Sequence, residues 1–318
     1  MLSRHAENLF WIGRYVERAE DTARLLDVTY HGVLEAASER PPEVQWRELL
    51  ETLLLDDEVS DADTAGDRVG SLLIADREFP GSVTSMIGMA RENARTTREW
   101  LSVEVWEALN DLHLEVRNMD LGRLTRDQPY EVLQRVRSGC QAVIGAVDSS
   151  MHRSEGYRFL IAGQRLERAL ITTRVLAVWQ RRLGEFGTQA AFAEWVRLLK
   201  SVSAYEAYLR IHRASMDGRR VLQFLLRDTD FPRSVLHCVA LIERLLTEIG
   251  RDRQPADLRR AVGQVRSAVE FVDPDVEGAD LGRFLAEVEA GLLTVSDEVE
   301  AVYFRPRAAS LMHSFETF

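Results

Sequence analysis

Residues 3 to 38 run without a proline and place Leu9, Ile12, Val16, Ala19, Ala23, Leu26 and Val33 at intervals of three and four or their sums. That period is the apolar seam of an α-helix and excludes a strand. At 3.6 residues per turn it predicts a helix of about ten turns, longer than one neighbour can cover. On the face beside the seam lie Glu7, Arg14, Glu17, Asp21 and Arg24. Gly13 sits within the same helix, where glycine costs about 1 kcal/mol relative to alanine. A long helix with a charged stripe and an interior glycine has to be matched by something that explains both.

The same pattern is written twice. Moving 150 residues along the chain carries Gly13 onto Gly163, Glu17 onto Glu167, Arg18 onto Arg168, Ala19 onto Ala169, Thr22 onto Thr172 and Arg24 onto Arg174. Glu17 and Arg24 are seven residues apart, about 10.5 Å along the helix axis, whereas an ion pair needs about 4 Å. Neither can satisfy the other. A solvated face has no reason to repeat its acid, base and glycine together. An inward-facing network at the meeting of two related helices does, because buried charges are costly unless paired. The expectation is that helices 3–38 and 155–183 pack against each other or occupy equivalent places in two related halves, with Gly13 and Gly163 near a crossing. Their charges are then exchanged, Glu17 with Arg174 and Glu167 with Arg24, or both acids are taken by Arg95 or Arg98.

The rest of the chain follows the same period. Helices are expected at about 43–55, at 81–118 as one long proline-free element, from Asp127 and Pro129 to about 152, and near 188–216, 218–228, 232–250, 255–272 and 279–303, with an acidic loop, "LDDEVSDADTAGDRVG", at 55–70. The eight prolines fall between these patterns or at their starts. No run alternates between hairpin turns. The expected fold is all-α: a single domain over 1–318 built as a multi-helix bundle with two internally related halves, 1–125 and 126–318. The formal charge of −11 argues against nonspecific nucleic-acid or anionic-membrane binding. Two lone cysteines, no signal pattern and no long uncharged apolar run make the cytoplasm the expected compartment. Of the 40 basic residues only Lys200 is a lysine; the codon bias of a GC-rich genome accounts for that, and the sharper alternative is that arginine's planar fork serves carboxylate or phosphate recognition.

Four segments together resemble the alpha-E family of bacterial all-helical proteins: "SRHAENLFWIGRYVERAEDTARLLDV" at 3–28, "ARENARTTREWLSVEVWEALN" at 90–110, "FLIAGQRLERALITTRVLAV" at 159–178 and, more weakly, "FPRSVLHCVALIERL" at 231–245. The third departs from the pattern at Gln164, where arginine is usual, and at Leu170, where an acid is usual. The resemblance implies a partner, a circularly permuted ATP-grasp protein, and a transglutaminase-like protein nearby, in a system that ligates or modifies peptides. It also implies a polar centre made of Glu7, Asn8, Arg14, Glu17, Arg18, Arg24, Glu92, Asn93, Arg95, Glu167, Arg168 and Arg174.

Independent signals of catalysis are sparse. There is no glycine-rich phosphate loop, so no ATP or other cofactor is expected in this chain. There is no Glu-x-x-His, and acid–histidine pairs such as Asp27 with His31 lack a third ligand, so no metal is expected either. Two readings remain. One is a helical subunit that binds an ATP-grasp partner or its peptide or small-molecule substrate. The other is an enzyme using Glu17, Glu92 or Glu167 as acid and base, with arginines holding a carboxylate or phosphate. They differ in whether the Glu/Arg cluster is mutually paired or lines an open cavity.

Overall fold

A computed structural model describes residues 1–34, 41–55, 66–122, 128–181, 188–213, 216–250, 255–273, 275–276 and 278–305. They form thirteen α-helices and, among the described residues, no strand. In chain order these are α1 (Ser3–Leu34), α2 (Pro42–Leu53), α3 (Gly66–Ala75), α4 (Val83–Thr96), α5 (Val103–Asn118), α6 (Pro129–Ser150), α7 (Glu155–Gln180), α8 (Thr188–Ser201), α9 (Tyr205–His212), α10 (Gly218–Arg227), α11 (Val235–Gly250), α12 (Ala256–Glu270) and α13 (Gly278–Val299). The acidic loop expected at 55–70 lies largely outside the described residues, and its last part opens α3.

The helix α1 is central. It packs along α7 and also against α4 and α6, while α7 packs against α11 and α13 in the same way. The pairs α4–α5 and α5–α6 of the first half are matched by α11–α12 and α12–α13 of the second. Among the described residues the packing therefore repeats, with α1 to α6 corresponding to α7, α8, α10, α11, α12 and α13, and α9 outside the correspondence. The first unit of the repeat ends at Ser150 rather than at residue 125, because α6 does for α1 what α13 does for α7.

The helices α1 and α7 lie parallel and in register. The Met1 amino group meets Glu155 at one end, and Leu25 and Val28 share a cleft with Val175 and Val178 towards the other. At the crossing, a Cβ on Gly13 would stand 2.0 Å from the Leu160 carbonyl oxygen, and one on Gly163 would stand 2.1 Å from that of Phe10. Leu160 is Phe10 moved by 150, so the two approaches are the same contact seen from either helix. Both glycines are needed because backbone meets backbone.

The element expected at 81–118 is broken. The helix α4 ends at Thr96, a short 3₁₀ turn covers Arg98–Trp100, and α5 starts after Ser102, whose hydroxyl accepts from the Val105 amide at 3.3 Å. The break turns α5 back along α4. The element expected at 188–216 is likewise two helices, α8 and α9, separated by a left-handed residue at Ser203 (φ 51°).

Candidate functional site: a reciprocal Glu/Arg centre

One turn beyond the glycine crossing, the helices exchange charges. Arg168 donates to Glu17 through Nε at 2.5 Å and Nη2 at 2.8 Å. Arg18 donates to Glu167 through Nε at 2.6 Å and Nη2 at 3.0 Å. Each acid takes one more bond from the residue three before its counterpart: Gln164 Nε2 to Glu17 at 2.9 Å, and Arg14 Nε to Glu167 at 2.8 Å. Gln164, which departs from the family pattern, thus keeps the contact of Arg14 without its charge. The charge missing there is supplied by Arg233, whose Nη1 lies 3.2 Å from Glu17.

Exchange between copies is what the repeat predicts, but the partners differ from those expected. In a parallel register Arg174 lies level with Arg24, two turns beyond Glu17, so the arginine adjacent to each acid makes the bond. Arg174 pairs with Glu289 of α13 at 2.7 Å, and Arg24 pairs with Glu20. Arg95 and Arg98 take no part. Arg95 is exposed and holds Glu92 on its own helix, and Arg98 lies over the Trp106 ring. Glu92 and Arg95 therefore sit at the surface, outside the centre. The Asn93 carbonyl accepts the Thr96 and Thr97 hydroxyls at the end of α4, and Asn8 donates to Thr96 Oγ1 at 2.8 Å. Asn8 and Asn93 thus tie α1 to α4. Glu7 is half-buried near the start of α1.

The centre is lopsided. Beyond Glu17, the first copy adds Glu20 and Asp21, where the second has Leu170 and Ile171. These three buried acids come within 4.8 Å of one another, a spacing that could hold a cation. The charge among them is a guanidinium: Arg233 donates from Nη1 to Asp21 at 2.7 Å and from Nη2 to Glu20 at 2.8 Å. Arg233 is the residue the sequence reading missed. The signal was available as a second repeat, "FPGSV" at 79–83 and "FPRSV" at 231–235, offset by 152. In both, an aspartate (Asp76, Asp228) accepts from two following amides, and a serine (Ser82, Ser234) starts the next helix. Gly81 stands where Arg233 would fall. A cavity of about 220 Å³ remains beside it, lined by Arg18, Asp21, Glu167, Ile171 and Arg174.

Electrostatics follow the pairing. Burial alone would raise Glu17, but Arg168 and Arg233 outweigh it and hold the carboxyl at about 2. Glu167 is held at about 2 by Arg18 and Arg14 against the same burial. Asp21 goes the other way: burial, with Glu17 and Glu20 alongside, overcomes Arg233 and pushes it up to about 7. Its second oxygen, Oδ2, is buried with no hydrogen-bond partner, which suits a protonated carboxyl. Burial also raises the thiols of Cys140 and Cys238, so neither is an activated nucleophile.

The chain matches the alpha-E family, described as a predicted alpha-helical domain with a conserved ER motif, over residues 1–304. It belongs to that family. Glu17–Arg18 and Glu167–Arg168 are its two Glu-Arg pairs on α1 and α7. Among curated proteins it is 24% identical over 325 aligned positions to uncharacterized proteins of Mycobacterium bovis and Mycobacterium tuberculosis, with 92% of this chain covered. The chain spans about a third of their length, 36%. No solved structure matches. No helix of the described residues is long and apolar enough to cross a membrane.

Proposed function

We propose that this chain is the helical partner subunit of an ATP-grasp-type peptide ligation or modification system, acting by binding and orienting rather than by turnover of its own. The observation that carries this reading is the internal neutralisation of the centre. A carboxylate held at about 2 by two guanidinium groups is a poor general base near neutral pH. Glu92, the third acid of the enzymatic reading, is bound by Arg95 at the surface, and that bond lowers it too. The Glu-Arg pairs fit a clamp that makes two halves one rigid body. The length of the mycobacterial relatives supports the same reading, since there the unit is part of a much longer polypeptide. The partners are a circularly permuted ATP-grasp protein and a transglutaminase-like protein. The cavity beside Gly81 is where a partner or peptide substrate meets the centre.

The test is co-purification of the full chain with a circularly permuted ATP-grasp protein from the same genome, followed by ATP-dependent ligation assayed with and without it. A stable complex and a ligation rate that depends on this chain are expected. Absence of a complex together with an unchanged rate would sink the proposal, and turnover by the chain alone would favour the enzymatic reading.

A further inference from the structure

In the second half, a cavity of about 940 Å³ opens between the end of α7, Trp195 of α8, one face of α10 and the chain that runs from α12 into α13. That volume is within the range of small-molecule sites. The helix α10 carries two stripes. Val221, Phe224 and Leu225 are buried in the core, whereas Arg219, Leu222, Gln223, Leu226 and Arg227, at three-and-four spacing, line the cavity. Leu222 and Leu226 form an apolar floor with Trp195 and Leu281. The polar groups of the wall divide into used and idle. Arg219 pairs with Asp275 at 2.5 Å, and Arg181 pairs with Glu51. Asp217 accepts from the Arg219 amide at 3.1 Å, and Asp273 accepts from the Asp275 amide at 2.9 Å. Arg227, Gln223 and Gln180 make no hydrogen bond or ion pair among the described residues; each lines the cavity and keeps exposed surface.

The first half shows what the fold alone requires. The helix α3 is the counterpart of α10, and both start against a tryptophan: a Cβ on Gly66 would stand 2.7 Å from the Trp46 ring, and one on Gly218 would stand 2.1 Å from the Trp195 ring. At the same offset, buried Val69, Leu73 and Ile74 match buried Val221, Leu225 and Leu226. The idle places do not match. Ser71 stands for Gln223 and Ala75 for Arg227. At the end of α1, Tyr30 stands for Gln180. Its ring lies edge-on to Trp46 at 4.9 Å and reaches α3 at Gly70, where a Cβ would meet the hydroxyl at 1.9 Å. The first half thus fills this place with its own tyrosine. The second half has Gln180 there and Leu222 for Gly70, and sets two amides and a guanidinium around open space. Packing the helix asks for none of the three.

We propose that this cavity binds an N-acylated apolar amino acid, free or as the last residue of a peptide. Arg227 takes the carboxylate, being the cation of this wall that has no acid of its own among the described residues, and a guanidinium fork matches that group. Gln223 stands one turn before Arg227 on the same face, and its amide, with that of Gln180, offers both donors and an acceptor to the ligand's amide. Leu222, Leu226 and Trp195 take the apolar side chain. Each acid of the wall already accepts a bond, so a bound carboxylate meets no unengaged like charge. The inference goes beyond the partner reading and does not rest on it, because binding is read on this chain alone.

Calorimetric titration of the full chain tests it, with N-acetylleucine in one arm, acetyl-glycyl-glycyl-leucine with a free carboxylate in a second, and N-acetylleucinamide as the uncharged reference. Saturable binding with a Kd of about 1 mM or tighter is expected in at least one of the first two arms, and binding about tenfold weaker in the third. A response to N-acetylleucine assigns the single residue as sufficient; a response to the peptide alone assigns a chain terminus. Gln223→Ser and Arg227→Ala install the residues of the first half, so Tm should stay unchanged while each weakens acid binding about tenfold. Arg220→Gln, outside the lining of the cavity, should leave binding intact. No saturation in either acid arm, equal binding of the amide, or full binding in both cavity variants would overturn the proposal.

Discussion

Glu17 and Asp21 stand one helical turn apart, both buried, yet their carboxyls are shifted in opposite directions, Glu17 down to about 2 and Asp21 up to about 7. The difference lies in their partners: Glu17 accepts on both oxygens, whereas Asp21 is served on Oδ1 alone. Glu17→Gln removes a charge that Arg168 and Arg233 need, and should cost about 3–5 kcal/mol in urea unfolding at neutral pH. Asp21→Asn replaces a carboxyl that is already largely uncharged at mildly acid pH and should cost far less there. The pH profile separates the two. Glu17 and Glu167 sit at about 2 against an ordinary 4.5, so their contribution is present above the ordinary value and is lost as pH falls towards 2. Asp21 sits at about 7 against 3.8, so its contribution is present below 3.8 and is lost as pH rises through 7. Stability should therefore decline on both sides of a mildly acid maximum, and Asp21→Asn should flatten only the alkaline side. A wild-type profile that rises through pH 7 would show Asp21 to be ionised. Little of this was legible beforehand: the repeat marks Glu17 and Glu167, but the neutralising Arg233 comes from a helix start 212 residues beyond Asp21.

At the scale of elements, glycine placement separates contact from tolerance. Gly13 and Gly163 face carbonyl oxygens that belong to a helix backbone and cannot step aside. Gly88, Gly145 and Gly263 also lie within helices, yet nothing stands within 4 Å of a Cβ placed there. Gly13→Ala should force α1 and α7 apart and cost about 3 kcal/mol, whereas Gly88→Ala should gain about 0.5–1 kcal/mol. Thermal melts of the two single variants check the contrast, and equal effects would mean that the crossing is looser than the structure shows. The repeat made the first pair legible, because an interior glycine weakens a helix and its recurrence at the same offset in both copies points to one shared close approach. The end of α4 was not legible by the same means. No proline or glycine marks it; the chain turns on the Thr97 and Ser102 hydroxyls, and serine and threonine also occur within helices.

For the whole molecule, the parallel pairing of α1 with α7 decides how the chain can be divided. Each half contributes one central helix whose acid is satisfied by side chains of the other, the arginine above all. The second half also lends Arg233 to the acids of the first. Sequence alone shows two related halves but misplaces their boundary. The repeat is strong only in its first helix, and the third Glu-Arg segment begins after α6, so α6 reads as if it opened the second half. Its packing on α1, matched by α13 on α7, assigns it to the first. A cut after His152 therefore respects the repeat, and one at residue 125 would strand α6. Fragments 1–152 and 153–318 expressed singly should lack stable structure, since each exposes an unpaired Glu-Arg face and an apolar seam. Co-expressed, they should assemble into a 1:1 complex with the helical content of the intact chain, while fragments cut at 125 should assemble poorly. Affinity capture of one tagged fragment and circular dichroism of the product measure this. Two fragments that fold separately as stable monomers would mean that the reciprocal pairs join finished domains and do not complete a shared core.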